Sequence, residues 1–208
     1  MNPTQLLSSG ARQLGVTVNE DQLQSLLEFV ELLKKWNKTY NLTAIEDTQA
    51  IIQKHILDSL SVSNHLAGKH ILDIGSGAGL PGIPLAIMHA DKKFTLLDSN
   101  VKKTRFMQQA AIELSLNNVQ VVHQRIEEYK TDINHAFNTV ISRAFTDADS
   151  FFGKCEHVLT QGRLIFMLGK QKQLEAMPKS YNVLEIFSVN IPQLDAQRHI
   201  AIVEKNTK

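Results

Sequence analysis

The segment ILDIGSGAGLPGIP, at residues 71–84, decides the fold. Its first four residues form a short apolar run that predicts a buried strand. Glycines follow at alternate positions, and an apolar helical pattern extends from Ile83 to Met88. A strand, a glycine turn and a helix in this order begin an α/β unit that binds a nucleotide. Glycines let the backbone approach such a ligand, and the free N–H groups at the start of the helix face it.

The glycine spacing fits two classes of ligand. Counted from Gly77, the letters match the G-x-G-x-x-G of dinucleotide folds, and counted from Gly75 they match the G-x-G-x-G of S-adenosylmethionine (SAM) enzymes. The predicted strand ends at Ile74, and a fingerprint of this kind follows its strand immediately, which favours the count from Gly75. Asp73 also suits SAM, because the charged amino-acid end of SAM needs polar partners.

The next predicted strand, at residues 94–97, runs into Asp98. A carboxylate at this position can accept hydrogen bonds from both hydroxyl groups of a ribose. NAD and SAM both carry that ribose, so Asp98 indicates an adenosine-type ligand without separating the two. An α/β domain that binds no nucleotide is the alternative explanation for the glycines.

Length and composition predict one ordinary α/β domain with a small extension, since the chain has 208 residues and 43% hydrophobic residues. There is no apolar run of about 18 residues that would predict a membrane span. The first residues lack the basic and apolar regions of a signal peptide. Cys155 is the single cysteine, so an internal disulfide is impossible. We therefore expect a cytoplasmic protein without a structural zinc site.

The formal net charge is +1 at pH 7, which does not indicate general binding to nucleic acid. If the partner is RNA, the positive charge that binds it must be local.

Helical patterns occupy the first third of the chain. Apolar residues recur at helical spacing in residues 4–14 and 20–37, and a further helix is predicted at 48–66 with Asp47 as its N-cap. The polar and aromatic stretch 35–43 interrupts the second of these patterns.

Strands and helices then alternate to the end of the chain, with a short helix predicted near 172–177. The predicted strands are 71–74, 94–98, 119–123, 138–142, 164–168, 181–189 and 199–204. Such alternation predicts an α/β fold with a doubly wound, mostly parallel sheet, and the last two strands are close enough to pair antiparallel. We divide the chain into a helical extension, 1–67, packed on a core, 68–208.

Ligands of doubly wound sheets bind at the carboxyl ends of the strands. The residues there are Asp73, Gly75 to Leu80, Asp98, Arg125 to Glu127, Ser142 and Arg143. Leu80 fits an apolar wall, Ile126 can pack on adenine, and Glu127 is either an acceptor for the adenine amino group or a solvated helix residue. Arg143 is either in the site or in a structural ion pair, and its place directly after an apolar strand favours the site.

The stretch 35–43 has the mix that RNA-binding surfaces use, lysines for phosphate and aromatic residues for stacking. Lys34, Lys35, Lys38 and Lys54 could form one basic patch with Trp36 and Tyr40, but a buried Trp36 with ordinary surface lysines explains the same letters. On the residues alone we favour the second explanation. We likewise interpret Lys102, Lys103 and Arg105 as a solvated helix face. His55 is interpreted as a structural residue, and Cys155 as a core residue.

Several segments together resemble the RsmG (GidB) family of bacterial methyltransferases, which modify guanine N7 in the 530 loop of 16S ribosomal RNA. They are LDIGSGAGLPGIPLAI at 72–87, WNKTYNLT at 36–43, KHILDSL at 54–60, RIEEY at 125–129, VISRAF at 140–145 and IPQLDAQRHIAIVEK at 191–205. They occur in the family's order and cover nearly the whole chain, and the glycine loop combined with the two upstream segments is highly specific.

The resemblance implies SAM as the cofactor, with contacts at Gly75, Leu80, the pair Ile126–Glu127 and Arg143. Asp98 matches the ribose-binding acid of SAM enzymes more generally, and Asp73 and Gly77 complete the predicted cofactor site. The implied RNA-binding or active-site residues are Lys35, Asn37, Lys38, Asn41, His55 and Lys170. Such proteins often carry a Leu-Lys-Gly triplet, whereas this chain has Leu168-Gly169-Lys170.

The implied substrate is 16S rRNA or the small ribosomal subunit, and we expect a monomer. Guanine N7 already has an in-plane lone pair, so we expect no general base, and Arg143 would serve to position the reactants. Three other hypotheses are a SAM methyltransferase for a protein or small molecule, an NAD-dependent enzyme and an inactive RNA-binding module.

Overall fold

The computed structural model describes residues 2–130, 136–143, 148–159, 162–169, 177–192 and 198–206. Its α-helices are α1 (Pro3–Gln13), α2 (Glu20–Tyr40), α3 (Thr48–Ile51), α4 (Asp58–Leu60), α5 (Gly82–Met88), α6 (Val101–Glu113) and α7 (Ala148–Cys155). Its strands are β1 (His70–Ile74), β2 (Lys93–Asp98), β3 (Val119–His123), β4 (Thr139–Ser142), β5 (Arg163–Leu168), β6 (Tyr181–Val189) and β7 (Arg198–Lys205). The strand predictions are confirmed to within one residue at most ends, and the helix predicted near 172–177 lies mostly outside the described residues.

The strands form a seven-stranded sheet of order β3-β2-β1-β4-β5-β7-β6 among the described residues. The pairs from β3 to β5 are parallel, and β7 runs antiparallel to both of its neighbours. The predicted doubly wound, mostly parallel sheet is therefore confirmed. The chain leaves β1 towards β2 and later returns to β4 on its other side, which places the crevice for a ligand at the carboxyl end of β1.

Both faces of the central strands are buried, because helices cover the sheet on two sides. Ile71 of β1 belongs to a core cluster that also contains Leu6 of α1, Leu26 of α2 and Ile56. Leu72, the next residue of β1, belongs to a second cluster on the opposite face. The helices before β1 thus share one apolar core with the sheet.

Helix α2 is longer than predicted. It begins at a capping box formed by Asn19 and Gln22 and continues to Tyr40, where Asn41 ends it in the left-handed conformation (φ 50°). Trp36 and Tyr40 are one turn apart and stack with ring centroids 5.1 Å apart. The predicted helix ended at Asn37, and the prediction was therefore wrong for Lys38 to Tyr40, since an aromatic pair at this spacing supports a helix.

The helix predicted at 48–66 begins as expected, since the side chain of Asp47 accepts a hydrogen bond from Ala50 N at 2.8 Å. It is not a single α-helix, because a π-helical segment, Ile52–Leu57, separates α3 from α4 and a 3₁₀ turn, Ser63–His65, follows. π-helical segments inside α-helices are frequent at functional sites. No helix in the described part of the chain is long and apolar enough to cross a membrane.

Gly82, at the start of α5, is expected to tolerate no side chain. A Cβ there would overlap the side chain of Leu96 and lie 2.8 Å from Asp73 Oδ2. Gly82→Ala should lower the free energy of unfolding by about 1–3 kcal/mol, the usual cost of overpacking. Urea denaturation followed by circular dichroism measures it.

Gly153→Ala is the matched control, because a Cβ at Gly153 in α7 meets nothing within 4 Å. Alanine in a helix is more favourable than glycine, so this variant should be as stable as the wild type or slightly more so. Equal stabilities for the two variants would show that the contact of Gly82 with β2 is not tight.

Candidate functional site

The glycine loop turns over the end of β2. The N–H groups of Gly75 and Ser76 donate to the carbonyl oxygen of Leu97 at 2.9 and 3.1 Å. Gly75, Gly77 and Gly79 have φ angles of 71°, 58° and 74°, which other residues adopt only with strain. The turn begins directly after Ile74, as the count from Gly75 requires.

Asp98, at the end of β2, is hydrogen-bonded to the glycine loop. Its carboxylate accepts hydrogen bonds from Gly77 N at 2.8 Å and from Asn100 N at 2.8 Å. Asn100 in turn caps α6. The carboxylate therefore joins the glycine loop, the end of β2 and the start of α6, and its position at the strand end agrees with the one predicted for a ribose-binding acid.

A cavity of about 220 Å³ opens at this edge of the sheet, lined by Gly75, Asp98, Ile126 and Glu127 among others. It combines a carboxylate, an apolar side chain and a second acid, which suits a ribose and an adenine. A larger cavity of about 480 Å³ is lined by residues that include His70 and Lys93, at the amino ends of β1 and β2. Ligands of doubly wound sheets bind at the carboxyl ends, so the smaller cavity is the candidate site.

The backbone at Gly77 is open towards a ligand. A Cβ built there would have its nearest neighbours at 3.8 Å, Lys103 Nζ, and at 3.9 Å, Gly75 O. The loop therefore leaves room where a cofactor approaches, and the residues present fit an adenosine-containing group.

Asp73 lies beneath the loop and is 1% exposed. Its Oδ2 accepts a hydrogen bond from Gly82 N at 2.9 Å, while Oδ1 has no partner among the described residues. Burial raises the pKa of this carboxyl to about 7. Leu80 is also buried within the loop, in the core cluster of the N-terminal helices. These positions make Asp73 an organiser of the loop whose charge can act on a bound cation at short range.

Arg143 follows β4 and points its guanidinium group at the N-terminal helices. Its Nε lies 3.1 Å from Asp58 Oδ2, and its Nη2 donates to Lys54 O at 2.9 Å and to His55 Nδ1 at 3.1 Å. The sequence left a site residue and a structural ion pair as alternatives and favoured the site. The structure shows an ion pair and places Arg143 at the carboxyl edge beside β1.

His55 is a neutral member of this network. A guanidinium group can only donate, so the contact with Arg143 favours the tautomer in which Nδ1 accepts and Nε2 donates to Thr43 Oγ1 at 2.7 Å, while Nδ1 also lies 3.1 Å from Lys54 O. Burial, and next the charge of Arg143, lower the pKa of His55 to about 4. The imidazole thus has both nitrogens engaged and is not a free base at neutral pH.

The network continues to Asn37, which the resemblance implied, and to Asp58 and Arg198, which the sequence did not single out. Asn37 is buried and its Oδ1 accepts a hydrogen bond from Thr43 N at 2.8 Å. Asp58 is 3% exposed and its Oδ1 lies 3.5 Å from Arg198 Nε. The spacing of three residues between His55 and Asp58 was a usable signal, because it places both on one helical face.

The residues predicted to bind RNA are placed differently from one another. Lys35, Lys38 and Asn41 are exposed, whereas Asn37 and His55 are buried in the network, and Lys170 lies outside the described residues. Lys34 donates to Glu31 at 3.3 Å and to Thr48 Oγ1 at 2.6 Å, so it is engaged in local contacts.

Trp36 is half-buried, with its ring centroid 5.7 Å from that of Phe106. It is therefore neither a fully buried core residue nor a fully exposed member of a basic patch. This contact sets the end of α2 beside α6. Lys102 and Arg105 are exposed on α6, as a solvated helix face requires, and Lys103 lies next to the glycine loop.

This fold and site define the class of SAM-dependent methyltransferases. The order of dinucleotide folds is 3-2-1-4-5-6, whereas here the antiparallel β7 is inserted between β5 and β6. A SAM-dependent methyltransferase from Aquifex aeolicus has the same fold, with a TM-score of 0.59 and 14% identity over 84% of this chain and 98% of that chain. The TrmK protein of M. capricolum, solved with S-adenosylhomocysteine, has a TM-score of 0.57 and 13% identity over 72% of this chain and 68% of that chain.

The chain belongs to the GidB family, rRNA small subunit methyltransferase G, whose sequence model matches residues 22–201. The ribosomal RNA small subunit methyltransferase G of Nitrosococcus oceani is 47% identical over 198 residues, which cover 94% of this chain and 92% of that protein. The protein of the same name from Vibrio vulnificus is 42% identical over 205 residues, which cover 97% of this chain and 96% of that protein. The expected family is therefore confirmed.

Neutral His55 is expected to make stability depend on pH. Its pKa is about 4 in the folded protein and 6.5 in the unfolded chain, so the unfolded state binds the proton first as the pH falls. Below pH 6.5 the fold should lose up to about 3 kcal/mol from this group, most of it by pH 4. Urea denaturation of the wild type and of a His55 variant at pH 7.5 and at pH 4.5 measures the change as the difference between the two proteins, because Asp73, with a pKa of about 7, alters stability in the opposite direction over this range.

His55→Gln is the comparison variant, because it removes the titrating group and keeps a donor and an acceptor. The difference in unfolding free energy between wild type and variant should shrink or change sign at the lower pH. A difference that is constant with pH would contradict a neutral, buried His55.

Proposed function

We propose that this chain transfers a methyl group from SAM to N7 of a guanine in the 530 loop of 16S rRNA, in the small ribosomal subunit. The observation that carries the proposal is the convergence of the family's segments on one edge of the sheet. Arg143 contacts Lys54, His55 and Asp58 there, and His55 contacts Thr43 of the upstream segment. These contacts lie next to the glycine loop and support a substrate site beside the cofactor.

The cofactor site would use the glycine loop and the cavity beside it. Asp98 would accept hydrogen bonds from the ribose, and Ile126 would pack on the adenine. Asp73 would place a negative charge beneath the cationic end of the cofactor. When bound, SAM supplies a methyl group on a sulfonium centre, which the lone pair of guanine N7 can displace without prior deprotonation.

The protein's own contribution would be alignment. Holding reacting atoms close and in line can lower a barrier by roughly 7–11 kcal/mol. Arg143 is suited to this because two of its nitrogens are engaged by fixed groups of a helix. His55 is not suited to act as a base, since its pKa is about 4 and both ring nitrogens are engaged.

The substrate nucleotide would have to be accessible in an open loop or turned out of a helix, because side chains cannot read the N7 edge in the narrow major groove of A-form RNA. The net charge of +1 supports recognition of a shaped RNA by local groups. Exposed Lys38, Lys102 and Arg105 lie on the two helices that meet beside the glycine loop. A monomer acting in the cytoplasm, with residues 1–67 as a helical extension of the core, belongs to the same proposal.

Transfer of tritiated methyl groups from SAM to small-subunit RNA from cells lacking this protein tests the function. We expect label at one guanine N7 in the 530 loop. Arg143→Ala should lower kcat about 100-fold, since a misplacement of about 1 Å costs that much. Arg12→Ala, which removes an exposed arginine of α1, should leave kcat unchanged. Label absent from RNA while SAM still binds would exclude the substrate.

The rate of the chemical step is expected to be nearly independent of pH. Guanine N7 needs no deprotonation, so the single-turnover rate with saturating SAM and RNA should vary less than about twofold between pH 6.5 and 8.5. A steep change of the single-turnover rate near neutrality would point to an essential base.

The affinity for SAM should fall towards pH 6, because Asp73, with a pKa of about 7, then loses its charge. Asp73→Asn should remove that dependence of affinity.

A further inference from the structure

Asp58 is a buried carboxylate placed between two arginines of the sheet. It lies on α4, directly after the π-helical segment, and is 3% exposed. Oδ2 is 3.1 Å from Nε of Arg143, and Oδ1 is 3.5 Å from Nε of Arg198. Each oxygen of the carboxylate therefore pairs with a different arginine.

The two arginines come from different strands on the same edge. Arg143 follows β4 and Arg198 begins β7, and both strands pair with β5. Strands separated by one neighbour are roughly 10 Å apart, so a group that reaches both arginines must come from outside the sheet. The helical extension supplies that group in Asp58.

The contacts of Arg143 fix its orientation as well as its position. Asp58 engages Nε, while Lys54 O and Nδ1 of His55 engage Nη2. A planar guanidinium group that is held at two nitrogens cannot rotate about its stem. The neutral His55 adds an acceptor without adding a charge, so Asp58 is the acidic partner of both guanidinium groups. Burial raises the pKa of this carboxyl, and the charges of Arg143 and Arg198 act against that rise.

We propose that Asp58 is a positioning residue for methyl transfer, which orients Arg143 at the carboxyl edge beside the cofactor loop and is itself held by Arg198. The inference rests on the proposed function, in which Arg143 aligns the reactants. Asp58 acts through Arg143 and does not touch the cofactor or the base.

A second ion pair, between two strands of the sheet, provides a comparison for the pairing of Asp58 with Arg143 and Arg198. Arg163 of β5 and Glu204 of β7 lie 3.6 Å apart, with side chains 31% and 43% exposed. They sit at the amino end of β5, far along the strands from the glycine loop. Glu204 joins two strands of the sheet through Arg163, whose Nη1 also donates to His65 O at 3.1 Å, whereas Asp58 joins the carboxyl edge to the helical extension.

Asp58→Asn tests the proposal, because asparagine keeps the shape and one acceptor oxygen but removes the charge. At a temperature well below the melting point of the variant, kcat for methylation of small-subunit RNA should fall about 30-fold or more. The Kd for SAM and the KM for RNA should stay within about threefold of wild type. Glu204→Gln is the matched control, since it removes the carboxylate of the other ion pair, and it should leave kcat unchanged.

The double variant Asp58→Asn/Arg143→Ala separates positioning from an independent effect. If Asp58 acts through Arg143, the double variant should have the kcat of Arg143→Ala within about twofold. Losses that multiply would overturn the proposal, because they would give Asp58 a role of its own or a general effect on the fold.

Asp58→Glu keeps the inference testable if Asp58→Asn does not fold. It retains the charge and the compensation of both arginines but moves the carboxylate by one methylene group. We expect a lowered kcat with the SAM Kd retained, and a wild-type kcat in this variant would overturn positioning. Failure of the wild type to methylate RNA would refute the proposed function, whereas an active wild type with an equally active Asp58→Asn would refute this inference alone.

Discussion

Parallel pairing of β1 with β2 and β4 is the constraint on which the remaining structure depends. It brings the ends of these strands to one edge, so that Gly75, Asp98 and Arg143 meet although they are far apart in the chain. Helices must then cover both faces, which is why apolar residues at successive positions of β1 enter two different cores. The reversal of strand order at β1 opens the crevice that a cofactor of this class occupies.

The glycine loop combines conformational freedom with tight anchoring. Its positive φ angles admit the turn, and two buried carboxylates then hold it, Asp98 through Gly77 and Asp73 through Gly82. A hydrogen bond from a backbone N–H to a carboxylate is stronger than one between two neutral groups. The loop is therefore organised before a ligand binds. Preorganisation of this kind reduces the ordering cost of binding.

The helices before β1 contribute polar groups to the carboxyl edge of the sheet as well as apolar area to the core. Asp58 compensates two guanidinium groups, and the neutral His55 accepts from one of them while it donates to Thr43. A buried carboxylate is costly unless it is paired and hydrogen-bonded, and here both conditions are met. The polar groups at the carboxyl edge therefore come from two parts of the chain, the helices before β1 and the sheet.

Periodicity and glycine spacing by themselves determined the strands, the doubly wound sheet, the glycine loop and the place of Asp98 at the end of β2, because these depend on local backbone preferences. The continuation of α2 from Lys38 to Tyr40 and the π-helical segment were missed, since tertiary packing decides them. Only the folded chain decided that Asn37 and His55 are buried, that Arg143 is ion-paired, and that Asp58 and Arg198 share one site. Each of these depends on contacts between distant residues and on desolvation, which no local pattern of letters records.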